Sequence, residues 1–224
     1  MPTVRARFIE PMLLQQTAKL PEGAQWLYEL KLDGYRAIAF KSGGRVHLRS
    51  RNDKDFTSRY PAIAAALSLL PNDTAIDGEV VALDETGRPS FDLLQNFGTS
   101  TASVAFYVFD VLILAGRDVM NEALSIRREL LAREIMPRLS DPIRESPILD
   151  VALPDLVQAV KAQGLEGLVA KRRDSRYEPG QRSGAWAKMR VNVCPAKAGV
   201  FSGSQPHQNK SQSSVAWIAG REGN

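Results

Sequence analysis

Residues 31–36 read Lys-Leu-Asp-Gly-Tyr-Arg and stand between two apolar runs. Two such runs around a short polar segment predict two strands joined by a turn, where Gly34 would provide a backbone conformation closed to other residues. Because side chains alternate along a strand, Lys31 and Asp33 would lie on one face. An amine held beside a carboxylate at a strand end could attack a phosphorus atom. A surface lysine on a hairpin would have the same local sequence.

The composition is that of a soluble globular protein. Of 224 residues, 44% are hydrophobic and 24% are charged, which suffices for one large domain or two small ones. A formal net charge of +4 permits a nucleic-acid partner without requiring one. The single cysteine, Cys194, excludes an internal disulfide and indicates a reducing cytosol, and two histidines are too few for a usual zinc site. Without a signal-peptide core or a membrane-spanning run, we expect a cytoplasmic protein with no membrane partner.

Alternating apolar runs and helical patterns predict an α+β fold with mixed or antiparallel sheets. Strands are predicted at 36–41, 45–49, 74–83, 104–114, 167–172 and 185–191. Helices are predicted at 61–70, 125–136 and 154–163, with Ser125 as the N-cap of the second. After residue 193 the composition shifts to Ser, Gln, Gly and Asn. We therefore predict one domain over 1–193 and an irregular, disordered tail over 194–224.

Five further motifs follow the lysine motif in a fixed order. They are Ser50-Arg51, Asp77-Gly78-Glu79, Phe109-Asp110, the segment from Glu166 to Lys171, and the segment from Trp186 to Arg190. With these motifs, residues 6–193 resemble the covalent nucleotidyltransferases: ATP-dependent DNA ligases, RNA ligases and mRNA capping enzymes. The likeness is greatest to the ligase domain of bacterial end-joining ligases, often called ligase D. It implies the ATP-grasp-like nucleotidyltransferase fold of a DNA ligase adenylation domain, with helices flanking the sheets.

The resemblance assigns catalysis to Lys31, as the nucleophile that takes AMP from ATP through a phosphoramidate bond, in a motif shared with Asp33. A lysine must lose its proton before it attacks, and neighbouring cations favour that loss. Lys188 and Arg190 are the candidate neighbours, and they would also stabilise charge on the α-phosphate during transfer. Arg190 is a departure, because many relatives have lysine at this position.

The resemblance also assigns the nucleotide contacts. Glu29 would recognise the adenine edge and Phe109 would stack on the adenine, although without the family a core position is the simpler interpretation of Phe109. Arg36 and Arg51 would contact the ribose and the terminal phosphates or the nick 5′-phosphate. Lys171 would neutralise charge on the α-phosphate.

Metal and DNA contacts complete the predicted site. Glu79 and Glu166 are the candidate ligands of Mg²⁺ or Mn²⁺, and Glu79 would also contact the ribose. Phe91 follows the third motif, where related ligases place an apolar wedge in the minor groove. Arg172 and Arg173 belong to a basic cluster that could follow a phosphate backbone, although such charge is more often a solvated surface.

The resulting prediction is a domain that forms lysyl-AMP and transfers AMP to a DNA 5′-phosphate for nick sealing. Family membership implies nicked or broken double-stranded DNA, Ku, and polymerase and nuclease modules of end joining as partners. It further implies a monomer at the bacterial nucleoid. An OB-fold domain follows the last motif in the family, and 194–224 is too short for one, so we expect a truncation or a frameshift. Two alternatives stay open: an RNA ligase or capping-type nucleotidyltransferase, and a non-catalytic remnant that binds nucleotides or nicks.

Overall fold

Two sheets organise residues 3–98 and 102–192, which the computed structural model describes. The strands are β1 (Gln15–Gln16), β2 (Trp26–Lys31), β3 (Tyr35–Ser42), β4 (Arg45–Ser50), β5 (Thr74–Leu83), β6 (Ser103–Leu114), β7 (Arg117–Asp118), β8 (Ile143–Glu145), β9 (Gly167–Arg172) and β10 (Trp186–Arg190). The first sheet has the order β1-β10-β9-β2, and the second has the order β4-β3-β5-β6-β7 with β8 beside β6. Two pairs, β1 with β10 and β6 with β8, are parallel and the others are antiparallel. The predicted α+β class with mixed sheets is confirmed.

Short helices flank these sheets. They are α1 (Pro61–Ala66), α2 (Phe91–Gln95), α3 (Leu124–Leu130) and α4 (Leu153–Ala162). A 3₁₀ turn, Leu67–Leu69, continues α1, and a π-helical segment, Leu131–Ile135, continues α3 into a 3₁₀ turn, Met136–Arg138. None of the helices in the described ranges is long and apolar enough to cross a bilayer.

The three predicted helices are confirmed, but the predicted cap of the second is wrong. Ser125 lies inside α3, and the cap position is Ala123, which makes no side-chain hydrogen bond. The helix begins earlier because Leu124 is fully buried and its packing fixes the first turn. The sequence did not predict the strands β1, β7 and β8 or the helix α2. Each has only two to five residues, which is too few to show a hydrophobic period.

Hydrophobic clusters cover both faces of each sheet. The outer face of the first sheet packs on α4, where Leu153, Leu156 and Val160 meet Leu168 and Ala170. The outer face of the second sheet packs on the helices α1 and α3 and their continuations. A third cluster joins the inner faces, with Leu27 and Trp186 from the first sheet and Ile38 and Phe109 from the second. The candidate site therefore lies between two sheets that are each supported from behind.

The predicted tail, 194–224, falls outside the described residues. The domain boundary at residue 193 and the missing OB-fold were inferred from that segment. Both stay predictions.

Candidate active site

Strand register brings the motif residues of the first sheet to its inner face. Directly opposite residues of antiparallel strands share a face, as do residues i and i+2 of one strand. The register gives three cross-strand rows, which are Leu27-Lys171-Trp186, Glu29-Val169-Lys188 and Lys31-Gly167-Arg190. Because Trp186 and Leu27 are packed between the sheets, all three rows face inward. Motifs that are far apart in the sequence therefore share one surface.

The second sheet supplies the facing wall. Arg36 of β3 lies opposite Glu79 of β5, and Phe109 lies on the adjacent strand β6. The guanidinium carbon of Arg36 is 5.0 Å from the ring centre of Phe109 and 5.6 Å from that of Trp186. Arg36 therefore bridges the two sheets through cation–π contacts.

A cavity with about 880 Å³ of empty space, counting its open mouth, separates the two walls. The predicted residues that line it are Glu29, Lys31, Arg36, Arg51, Glu79, Phe109, Lys171 and Lys188. The structure thus brings together all of the predicted nucleotide contacts except Glu166, which lies beside the wall and touches Lys31.

The amine of Lys31 is held at this wall by a carboxylate. Lys31 Nζ lies 2.5 Å from Glu166 Oε2, and Arg190 Nε lies 3.2 Å from Glu166 Oε1. The Lys31 and Glu166 side chains are 15% and 17% exposed, whereas Arg190 is 54% exposed. The predicted nucleophile is therefore sheltered from bulk water while it lines the cavity.

The other residues predicted to be catalytic include Lys188 and Asp33, which lie near this ion pair. Lys188 lines the cavity, and burial together with the positive charges of Lys31 and Arg190 lowers its pKa. Asp33 is exposed at the turn and does not line the cavity; partial burial and the negative charge of Glu166 raise its pKa. The side of the cavity near Lys31 thus carries excess positive charge, which suits a phosphate.

Glu29 and Lys171 form a second, deeper ion pair, with both side chains 3% exposed. Lys171 Nζ lies 2.8 Å from Glu29 Oε2, and the Ser146 hydroxyl donates to the same oxygen at 3.3 Å. Burial lowers the pKa of Lys171, and the charge of Glu29 partly offsets this effect. Lys171 Nζ also lies 3.9 Å from the ring centre of Phe109. Lys171 therefore contacts both of the residues that are predicted to contact adenine, Glu29 and Phe109.

Arg36 is fixed by a buried carboxylate. Its Nε and Nη2 donate to the two oxygens of Asp77 at 2.9 and 2.6 Å. The Tyr177 hydroxyl donates to Asp77 at 2.6 Å and accepts from the Met12 amide at 3.0 Å. Opposite Arg36, burial raises the pKa of Glu79 to about 7, even though Arg36 favours its ionised form. Arg36 is thus preorganised, and Glu79 can change protonation near neutral pH.

Two motif glycines allow strands to approach each other closely. The prediction that Gly34 adopts a conformation closed to other residues is wrong, because its φ lies outside the left-handed region. A Cβ at Gly34 would instead lie 2.2 Å from the Val80 carbonyl oxygen. At Gly167, a Cβ would lie 2.1 Å from the Met189 carbonyl oxygen. Both distances are far below van der Waals contact, so space excludes a side chain.

The residues predicted to bind DNA lie outside the cavity. Arg172 and Arg173 are exposed at the end of β9, where Arg172 pairs with Asp174 at 2.6 Å and Arg173 donates to the Ala24 carbonyl at 2.8 Å. Phe91 is half-buried, with its ring centre 5.2 Å from that of Tyr35. It packs at the edge of the core and is not a fully exposed wedge. The DNA contacts of these residues stay predictions.

Sequence reasoning missed three buried residues, of which Ser146 lines the cavity and Tyr177 and Arg128 do not. Ser146, Tyr177 and Arg128 each hold a residue of the site or lie next to one. One signal was present for Arg128: Leu124, Arg127, Arg128 and Leu131 recur at helical spacing, which puts two arginines on the apolar face. No local pattern identified Ser146 or Tyr177.

Comparison with known proteins agrees with this geometry. Residues 11–190 match the family described as ATP dependent DNA ligase domain. The chain is 39% identical over 176 residues to the multifunctional non-homologous end joining DNA repair protein LigD of Mycobacterium tuberculosis, covering 75% of this chain and 22% of that protein. It is 36% identical over 191 residues to DNA ligase C1 of Mycolicibacterium smegmatis, covering 78% of this chain and 54% of that protein. This chain therefore corresponds to less than a quarter of the LigD protein.

Solved structures agree in fold. A mycobacterial DNA ligase D complexed with ATP superposes with a TM-score of 0.71 at 35% identity, over 81% of this chain and 60% of that chain. A Chlorella virus DNA ligase-adenylate, at 20% identity and a TM-score of 0.58 over 81% of this chain and 67% of that one, shares the fold. The predicted nucleotidyltransferase fold is confirmed. From its matching motifs, its sheet architecture and these relatives, the chain belongs to the family of ATP-dependent DNA ligase domains.

Proposed function

We propose that this chain is the adenylating unit of a DNA ligase. In the first step the lone pair of Lys31 Nζ attacks the α-phosphorus of ATP. A P–N bond forms, the bond from the α-phosphorus to the bridging oxygen breaks, and pyrophosphate leaves with the electron pair. The amine loses a proton, and Glu166 Oε2, which is 2.5 Å away, is the acceptor already in contact.

The position of the Lys31 amine carries this proposal. The Lys31 side chain is 15% exposed and lines a cavity that also presents an aromatic ring, Phe109, and the carboxylate of Glu29. These two groups suit the face and the amino edge of a purine. Arg36, Arg51, Lys171 and Lys188 line the same cavity and offer positive charge to ribose and phosphates. Group transfer at phosphorus depends mainly on such positioning and charge stabilisation.

Glu79 and Glu166 are the residues that would hold a divalent cation. Mg²⁺ usually takes one or two carboxylates together with substrate phosphates and water, so this donor set fits Mg²⁺ or Mn²⁺. No group of three metal-binding side chains occurs among the described residues. When bound, the ion would neutralise charge on the triphosphate. Glu166 would hold it only by giving up part of its contact with Lys31 or Arg190.

The later steps would transfer AMP to DNA. An oxygen of the nick 5′-phosphate attacks the phosphorus of lysyl-AMP, which returns the electron pair to Lys31, and the 3′-hydroxyl then displaces AMP to seal the strand. The exposed Arg172 and Arg173 would follow the phosphate backbone, and Phe91 would contact the duplex near the nick. Catalysis of sealing by this chain is part of the proposal, because the chain spans only 22% of the LigD relative.

The names of the relatives suggest the biological setting. LigD is described as a non-homologous end joining protein, so we place this chain in double-strand-break repair. Ku and polymerase and nuclease modules would be its partners there. We further propose that it acts as a monomer in the bacterial cytoplasm, at the nucleoid.

The test is incubation of the whole chain with Mg²⁺ and either ATP or GTP that is radioactive at the α-phosphorus. A chase with nicked DNA or nicked RNA follows. We expect label from ATP alone, release of the label by pyrophosphate, and transfer to nicked DNA. Lys161→Ala, an exposed lysine on α4, is the matched control and should label normally. Preference for GTP or RNA would favour the capping or RNA-ligase alternative. Nucleotide binding without covalent label would favour a non-catalytic remnant.

A further inference from the structure

An arginine that belongs to none of the sequence motifs, Arg182, lines the cavity. It is exposed and lies in the loop between β9 and β10. No carboxylate among the described residues forms an ion pair with its guanidinium. By contrast, the cavity cations Lys31, Arg36 and Lys171 are each paired with a carboxylate. The charge of Arg182 is therefore available to a bound ligand.

The loop that carries Arg182 is held by the segment that precedes β1. The Leu13 amide donates to the Gln181 carbonyl oxygen at 2.8 Å, and the Gly180 amide donates to the Glu10 carbonyl oxygen at 3.3 Å. These two backbone hydrogen bonds fix the residues immediately before Arg182. A side chain that starts from a fixed backbone loses less conformational freedom when it binds a ligand. The arginine is thus positioned at the cavity by the fold.

The strand order shows which part of the cavity Arg182 serves. In the order β1-β10-β9-β2, Lys31 lies on one edge strand, and the Arg182 loop is bonded to the chain beside the other. Lys188 lies on β10, about 5 Å from β1 and about 10 Å from β2. Besides burial and the charge of Lys31, the charge of Arg182 lowers the pKa of Lys188. The three cations therefore extend across the cavity from the amine of Lys31, through Lys188, to Arg182.

We propose that Arg182 binds the β- and γ-phosphates of ATP and holds the pyrophosphate as it leaves. The inference rests on the proposed function, which puts the α-phosphate at Lys31. A guanidinium can donate to two phosphate oxygens at once, and such charge-assisted hydrogen bonds are among the stronger ones. Transfer at phosphorus depends on this kind of positioning of the leaving group. The same contact binds pyrophosphate in the reverse reaction, in which a pyrophosphate oxygen attacks lysyl-AMP and the electron pair of the P–N bond returns to Lys31.

The first test measures Kd for AMP and for α,β-methylene-ATP, which carries the two outer phosphates but cannot transfer AMP. In Arg182→Gln, Kd for α,β-methylene-ATP should rise about tenfold, the change expected for one charge-assisted hydrogen bond at an exposed site. Kd for AMP should stay within about twofold, because AMP lacks those phosphates. Arg182→Lys keeps the charge without the fork and should recover part of the affinity.

The second test follows the reaction itself. In Arg182→Gln, kcat/KM for self-labelling by ATP should fall about tenfold, and KM for pyrophosphate in release of the label should rise by about the same factor. Transfer of preformed lysyl-AMP to nicked DNA should be unchanged, because pyrophosphate has left before that step. Arg176→Gln is the matched control. Arg176 is an exposed arginine of the same loop that does not line the cavity, so this variant should self-label at the normal rate.

The outcomes distinguish this inference from the alternatives. Circular dichroism verifies that the Arg182 variants fold, as expected for an exposed side chain without an ion pair. An unchanged Kd for α,β-methylene-ATP, or an equal loss for AMP, would overturn the inference. Normal labelling with impaired transfer to nicked DNA would also overturn it, and would assign Arg182 to the 5′-phosphate of the DNA. Absence of label in the unmodified chain, with both Kd values as expected, would overturn the proposed function alone.

Discussion

Loss of the guanidinium of Arg127 should cost more stability than any surface change in this chain. Arg127 and Asp110 are both 0% exposed and share two hydrogen bonds of 2.8 Å. Arg127 Nη1 also donates to the carbonyl oxygens of Glu122 and Ser175 at 2.6 and 2.9 Å. Arg127→Met leaves a buried carboxylate without its cation, and breaking such a pair typically costs about 3–5 kcal/mol. We expect a loss near the middle of that range, about 4 kcal/mol.

Urea denaturation followed by circular dichroism measures this loss. Arg133→Met, on the exposed side of the following segment, should stay within about 0.5 kcal/mol of the unmodified chain. The double variant Asp110→Leu with Arg127→Met removes both charges and should lose less than the sum of the two single variants. At pH 5 the loss in Arg127→Met should shrink, because a buried carboxyl without its cation takes up a proton. A loss below about 1 kcal/mol, or strict additivity, would refute the reasoning.

Three further outcomes are expected. Glu79 holds its proton up to about pH 7 in the folded state but only to about 4.5 when unfolded, so the free energy of unfolding falls as pH rises through that window. Glu79→Gln should therefore match the unmodified chain at pH 4 and exceed it by about 3 kcal/mol at pH 8, and a pH-independent difference in urea titrations would argue against this. Gly34→Ala should lose about 3 kcal/mol, because its Cβ would lie 2.2 Å from the Val80 carbonyl oxygen, and an unchanged melting temperature would contradict the close-approach argument. Phe109→Ala should weaken ATP binding more than DNA binding, and Arg172→Ala with Arg173→Ala should do the reverse with a shallower salt dependence; equal losses in fluorescence binding assays would contradict this division.

Most of what could be predicted from the sequence followed from the alternation of side chains along the strands. Alternation along β2, β9 and β10 is a local property, so the shared face of Glu29, Lys31 and Lys188 follows once the strands pair. Motif order indicated the family resemblance, and the resemblance indicated which residues should contact the nucleotide. The residues expected to contact the nucleotide line the cavity apart from Glu166, and their contacts with a nucleotide stay predictions.

Contacts between distant segments could not be predicted from the sequence. The Ser146 hydroxyl reaches Glu29 across 117 positions, and Tyr177 reaches Asp77 across 100. A single serine or tyrosine gives no periodic signal, so only the folded chain identifies them. The wrong prediction for Gly34 has the same origin. A glycine is required there because Val80 of a neighbouring strand approaches closely, and not because of the backbone conformation.

Mass spectrometry of the intact chain and of its peptides measures whether AMP becomes covalently attached to Lys31. After incubation with ATP and Mg²⁺, we expect a mass gain of one AMP, located on the peptide that contains Lys31 and removed by pyrophosphate. The Lys31→Ala variant should remain folded and gain nothing. An adduct on a different lysine, or an adduct at the normal level in Lys31→Ala, would contradict the account.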